Sequence, residues 1–480
     1  MIHRLSRCLR RPTARRLCST LDVANNHESP VSRYVGQPSF YSHPHLLDSN
    51  EVTVGLTKTE YADRRYTLLR SLRRESGLRA SSSATHLVIV PAASTLYSAP
   101  DVPFVFRQDS DFSYLCGFQE PDSLLVMYNE GEKFVSAMFV AERDPTSEMW
   151  QGLKAGVDGA VQLTGFLARH SKTLPVVWLN RNPICKLNQR LGPVLDSLRM
   201  FSVTSLNPNK AIQEMRWVKS EAEMKLMRKA SLIGCQALTE TMRYSTMTNE
   251  ESHLNAKMDF ECRCLGADRL AYPPVVAGGN RANTIHYLDA NQRVLPGELL
   301  LMDAGCEVGG YVSDITRTWP ISGRFNPHQA ALYECLLEVQ QLIIAKLQSH
   351  ELNTLRNMYF EMLVQLGGRL KRLGVIPSHL ADPETVAEVE KICPHHVGHY
   401  LGMDVHDTED IPKSRPFVPG VVVTVEPGLY FPADNTRFPK EFRGMGMRIE
   451  DDVAFTDTSA EVLTKSCPKR INAIEEVLHC

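Results

Sequence analysis

No apolar run in the 480-residue chain approaches the ~18 residues that a membrane-spanning helix needs, so no membrane partner is expected. No C-x-x-C pair occurs among its twelve cysteines, which fit neither a disulfide framework nor a structural zinc site. Cys262 and Cys264 come nearest, and reduced, mostly buried thiols are the expectation. An excess of one charge is also lacking. The net charge is −2, and no long basic run follows the N-terminal stretch, which argues against a nucleic-acid partner. Internal repeats and low-complexity tracts are missing as well. What is present is an apolar fraction of 43%, enough to core two or three domains.

One local absence is informative. No acidic residue precedes Asp22, while Arg4, Arg7, Arg10, Arg11, Arg15 and Arg16 crowd the first twenty positions. An Arg-rich, Ser/Thr-containing, acid-free start has the composition of a mitochondrial transit peptide, assigned here to residues 1–20. A matrix location follows, with a cytoplasmic one as the alternative. Residues 21–54, with Pro30, Pro38 and Pro44, read as an extended lead-in.

Residues 55–215 read as an α/β domain. A helix is expected over Thr59–Arg74, and strands over His86–Val90, Leu124–Tyr128, Lys133–Val140 and Val176–Leu179. Helical stretches at Val157–His170 and Pro193–Arg199 lie among them, and alternation of this kind marks α/β architecture. Phe106–Phe118 reads as a structural loop with aromatic anchors. Residues 216–480 form the second unit. Ser220 and Glu223 make a capping box, followed by Leu226, Ala230, Ile233 and Ala237 on one helix face. A second helix opens at Thr248–Glu251, and a strand is expected over Ala271–Ala277. Helices are expected at His328–Gln348 and Thr354–Leu373, with short strands and glycine turns from there to the C-terminus.

Leu299–Trp319 is the stretch around which this unit is arranged. Strand runs Leu299–Ala304 and Tyr311–Thr318 flank a turn rich in glycine, which predicts a β-hairpin. A turn centred between Val308 and Gly309 would set Asp303 opposite Asp314. Two carboxylates about 5 Å apart repel unless protonated or shared by a cation. Three further segments place polar groups in apolar settings. Pro394–Asp407 carries His395, His396, His399 and His406; Val421–Tyr430 ends a strand run in Glu426; Met447–Phe455 puts Arg448 and Glu450 on one strand face. Asp303, Asp314, His399, Glu426 and Glu450 together form an oxygen-rich, hard ligand set. It suits Mn²⁺, with Co²⁺ or Zn²⁺ as alternatives, and two divalent cations would offset its four carboxylates.

That ordered series, with GHYLGMDVHD, VEPGLY and RIEDD, resembles the pita-bread metallopeptidases, which include aminopeptidase P, prolidase and methionine aminopeptidase. GQPSFYSHPHLL, EVTVGLTKTEYADRR and FRQDSDFSYLCGFQEPDS resemble the amino-terminal domain of the aminopeptidase P family, in particular its mitochondrial branch. The resemblance implies an amino-terminal α/β domain followed by a pita-bread catalytic domain, α/β (α+β) in class. It implies two divalent metals per subunit, with Asp303 on one, His399 and Glu426 on the other, and Asp314 and Glu450 bridging. It further implies that Glu426 handles the proton of a metal-bridging hydroxide, and that His286 steadies the tetrahedral intermediate. His406 would stand near the first peptide bond, His395 on the substrate side, Tyr430 at the pocket, and Arg448 would hold the carboxylates. The implied activity is release of one N-terminal residue from a peptide, preferentially with proline second, by a homodimer. Three alternatives remain: trimming of imported mitochondrial proteins without a proline requirement, a prolidase confined to dipeptides, and a noncatalytic binding protein of the same fold.

Overall fold

The computed structural model describes residues 37–76, 86–130, 133–141, 143–155, 176–180 and 205–479. The helical stretches expected at 157–170 and 193–199, and the Arg-rich start, lie outside the described residues. Two compact units emerge. One contains residues 69–108 and 119–207; the other contains 38–68, 109–118 and 208–480.

The first unit is built on a five-stranded sheet in the order Lys133–Phe139, Leu124–Glu130, His86–Pro91, Val176–Leu179, Ser205–Leu206. His86–Pro91 is central and buried at every position, as its unbroken apolar run demands. It pairs antiparallel with Leu124–Glu130 and parallel with Val176–Leu179. Leu87, Ile89, Leu124, Val126, Tyr128, Val177 and Leu179 form the core of one face. All four strands expected here are present, within two residues at each end.

In the second unit every strand pair is antiparallel, and helices cover the sheets. The capping box at Ser220 forms as expected and starts a helix over Glu221–Tyr244. Its face of Leu226, Ala230, Ile233 and Ala237 is buried. Helices over Pro327–Gln348 and Leu355–Arg372 also match expectation. Two helices, Asp382–Ile392 and Ile471–His479, occupy sequence read as strands and turns. Ser110–Cys116 is a further correction. It is a helix capped by the Asp109 side chain, which accepts from the Phe112 N–H at 2.9 Å, rather than a loop. The strand expected over 271–277 begins only at Val275, because Pro273 and Pro274 have no N–H for a ladder. No described helix is long and apolar enough to cross a membrane.

The hairpin forms with a different register. Leu299–Ala304 pairs with Ile315–Pro320, and Asp303 faces Thr316 instead of Asp314. Beyond an interruption, Cys306–Val308 pairs with Tyr311–Val312 around a two-residue turn at Gly309–Gly310. Both glycines have positive φ, 59° and 85°. That is the demand of a type I′ turn, whose twist matches the strands it joins. The turn centre therefore sits one residue later than expected, and every pairing moves by two.

Candidate metal centre

Asp303 and Asp314 still meet, on a diagonal. Asp314 lies two residues before Thr316, so its side chain shares the face of Asp303. The Tyr272 hydroxyl joins them, donating to Asp303 Oδ1 at 2.5 Å and in close contact with Asp314 Oδ1. Nothing local in the sequence marks Tyr272; its role exists only once the strand start at Val275 leaves it beside the hairpin.

Three further segments complete the cluster. Asp314, His399 and Glu450 each offer a ligand atom, all within 4.8 Å of one another. His399 Nε2 is 3.4 Å from Asp314 Oδ2 and 3.4 Å from Glu426 Oε1. Its Nδ1 faces the Tyr400 carbonyl at 3.1 Å. A proton held at Nδ1 by that carbonyl leaves Nε2 as the atom that could bind a metal. Thr424 supports the pair, accepting from the His399 N–H at 3.1 Å and donating to Glu426 Oε1 at 3.2 Å. Thr316 donates to Glu450 Oε2 at 2.6 Å and accepts from Arg448 Nε at 3.1 Å. Arg448 and Glu450 thus converge on one hydroxyl, although the backbone leaves the strand after Arg448. Thr316 and Thr424 each carry the same sequence mark, a spacing of two from Asp314 and from Glu426, which sets hydroxyl and carboxylate on one strand face.

A second chain of hydrogen bonds runs from the carboxylates to the histidines. Arg448 donates from Nη2 to Asp303 Oδ2 at 2.6 Å and from Nη1 to the Tyr430 oxygen at 2.7 Å. The Tyr430 hydroxyl is 2.9 Å from His395 Nε2, and His395 Nδ1 donates to the His396 carbonyl at 2.8 Å. Burial, with Arg448 nearby, lowers His395 to about 4, so its Nε2 accepts from Tyr430. His396 turns away and stacks on Tyr359 at 4.7 Å. His406 is exposed, with its ring 4.5 Å from that of His399. His286 stands on an exposed turn, close enough for its charge to lower the basicity of both His395 and His406.

The electrostatics test whether a metal fits. Burial pushes Asp303 up, Glu426 up to about 7, and Glu450 well above the carboxylate range. On Asp314 burial also pushes upward, but hydrogen bonding and charge from His399 outweigh it and hold the group low. Burial lowers His399, and Asp314 and Glu426 overcome this to raise it to about 9. Among the described residues, the four carboxylates thus share His399 and Arg448 as their cations, and three of them resist ionisation. A dication pair would supply the missing positive charge, and the O-rich donor set with one imidazole is of the right chemistry. Binding would displace the His399 proton.

Comparison with known proteins places this geometry. Residues 225–457 match the model of metallopeptidase family M24, and residues 61–175 match the aminopeptidase P N-terminal domain. Human Xaa-Pro aminopeptidase 3 is 44% identical over 465 residues, covering 93% of this chain and 91% of the relative. The mitochondrial Intermediate cleaving peptidase 55 of Arabidopsis thaliana is 37% identical over 490 residues, covering 98% and 94%. Among solved structures, the aminopeptidase PepP of Pseudomonas aeruginosa superimposes with a TM-score of 0.77 at 32% identity, covering 88% of this chain and 98% of that one.

Proposed function

Because the chain belongs to metallopeptidase family M24 and is a metal-dependent aminopeptidase, we propose that it releases the N-terminal residue of peptides, preferentially when the second residue is proline. The observation that carries the reading is the convergence of Asp303, Asp314, His399, Glu426 and Glu450, flanked by His286, His395 and His406. Asp314 and Glu450 would hold both of two divalent ions, Asp303 one of them, and His399 with Glu426 the other. Mn²⁺ is the proposed ion, since oxygen donors outnumber nitrogen four to one. When bound, such a pair polarises the scissile carbonyl and activates water as nucleophile.

The remaining work falls to the chain's own groups. Glu426, flanked by His399 at 3.4 Å and His395 at 3.8 Å, takes up the proton of the attacking water at a carboxylate oxygen. His286 steadies charge developing on the peptide oxygen. His406 faces the first peptide bond and passes a proton toward the leaving amine. Arg448 donates to Asp303, opposing the effect of its burial, and through Tyr430 fixes the His395 ring on the substrate side. The protein is proposed to act as a homodimer, in line with the family resemblance. A mitochondrial site is supported by the Arg-rich start and by the Arabidopsis relative, which is named as mitochondrial.

That relative also supports a second reading, the trimming of single residues from imported proteins without a proline requirement. Mass spectrometry of products from a peptide panel separates the two. Peptides of two, three and ten residues, with proline or alanine second, are incubated before and after chelation. Faster release of one residue from proline-second peptides than from alanine-second ones, abolished by chelation, is the expected result. Equal rates on alanine-second peptides would favour the trimming enzyme, and cleavage of dipeptides only would indicate a prolidase.

A further inference from the structure

Away from the ligands, one buried carboxylate gathers its donors from a single loop. Glu251 is the first residue of the Glu251–Cys264 helix and has no solvent exposure. Its Oε1 accepts from the Gly278 N–H at 2.9 Å and from Arg281 Nε at 2.6 Å. Its Oε2 accepts from the Tyr287 hydroxyl at 2.9 Å and from the Gln292 N–H at 3.1 Å. The Glu251 N–H in turn donates to the Gln292 carbonyl at 3.0 Å. Every partner lies between residues 278 and 292. Next to it, Glu250 closes the far end of the same loop by pairing with Arg293 at 2.6 Å.

Four donors, two of them backbone N–H groups, satisfy both oxygens of a carboxylate whose burial would otherwise be costly. The grip is also symmetric about His286. Gly278 and Arg281 hold the chain before it, and Tyr287 and Gln292 hold the chain after it. Tyr287 is joined to His286 by a single peptide bond. The turn bearing His286 is itself exposed, so it depends on such anchors for a fixed position.

We propose that Glu251 is a positioning residue for His286, resting on the role given to that histidine above: it fixes the loop so that the imidazole meets the substrate's scissile carbonyl. A purely structural carboxylate would stabilise the helix start and leave transition-state contacts alone. The two differ in a double-mutant cycle. Glu251→Gln places an NH₂ against one pair of donors, and Tyr287→Phe removes one donor and nothing else. Both variants, Glu251→Gln/His286→Ala and His286→Ala alone are assayed as full metal-loaded chains on a proline-second tripeptide. Metal stoichiometry is measured in parallel.

Metal content is expected to stay at the wild-type level. Glu251→Gln is expected to lower kcat about 10- to 100-fold with little change in KM, and Tyr287→Phe to do the same more weakly. In the His286→Ala background, Glu251→Gln should cost less than about threefold more, because the two act as one unit. A full additive loss in that background, or a loss that tracks metal content, overturns the positioning role alone. Wild-type turnover by His286→Ala overturns the reading of His286 and the positioning role with it. Should Glu251→Gln fail to fold, Tyr287→Phe with and without His286→Ala completes the same cycle and decides the question.

Discussion

Asp303 and Asp314 carry the same functional group on the two arms of one hairpin, yet their surroundings set them to different work. Asp303 is neutralised from one side by Arg448 at 2.6 Å, so it already has a cation. Asp314 pairs directly with His399 at 3.4 Å, whose proton would leave if a metal bound. In the proposed site Asp314 would therefore depend more on the metals, and they on it. Asp314→Asn keeps the shape and removes the charge. It is expected to lose at least half of the bound metal and about a thousandfold in kcat, while unfolding at close to the wild-type temperature. Elemental analysis of the dialysed variant, with turnover and thermal unfolding, checks this; full metal content with full activity would remove Asp314 from the proposed site. That these acids meet was legible from their place in apolar strand runs. The partner that joins them was not, since Tyr272 reaches them through a chain reversal that no local pattern encodes.

Elements were legible where periodicity ran long, and illegible where a turn or a short helix decided the matter. The hairpin's existence follows from its strands, but its register follows from which two residues make the turn. The double-glycine I′ turn at 309–310 is the stronger signal for a right-twisted hairpin. Asp382–Ile392 escaped because it buries only Thr385, Val389 and Ile392, a stripe at spacings of four and three that is brief enough to pass for loop. At this scale two of the histidines outside the proposed ligand set share a device. His286 precedes Tyr287, held by Glu251; His406 precedes Asp407, held by Arg216 and by Lys219 at 3.2 Å. Arg216 also reaches Asp404 and Asp111, each at 2.7 Å, so one buried guanidinium ties both ends of the 404–407 loop. Removing one partner of a buried charge cluster leaves the others uncompensated, at a cost of about 3–5 kcal/mol. Arg216→Met is therefore expected to lower the unfolding free energy by about 3 kcal/mol and to reduce kcat, as followed by urea denaturation and peptide turnover. Wild-type stability would show that the carboxylates find other partners. Arg216→Lys restores charge without the planar fork and should recover only part of the loss.

At the scale of the whole molecule, we propose the division into an aminopeptidase P-type N-terminal domain over residues 55–215 and a pita-bread domain over 216–480. Packing adds a qualification that composition did not reveal. Residues 38–68 and 109–118 are compact with the C-terminal unit. Their side chains satisfy its buried charges. Arg64 is 2.9 Å from Glu60 and 3.4 Å from Glu223, which is 2% exposed. Glu223 also accepts from Tyr311 at 2.5 Å, at the tip of the hairpin that bears the two acids. Ser220 donates to Glu60 at 2.6 Å, and Ser110 to Asp404 at 2.6 Å. A fragment starting at residue 208 would thus keep every proposed ligand and lose Arg64, Asp111 and Ser110 together. Glu223 and Arg216 would each lose a charged partner, and removing one partner from a buried pair costs about 3–5 kcal/mol. Against a typical domain stability of ~5–15 kcal/mol, two such losses are enough to abolish a cooperative fold. The fragment is expected to aggregate or to unfold well below the full chain, and to show no turnover even with excess metal. Calorimetry and peptide hydrolysis on purified fragment and full chain make the comparison. Cooperative unfolding at the full-length temperature with retained activity would mean that the ligand-bearing unit needs nothing from the N-terminal half.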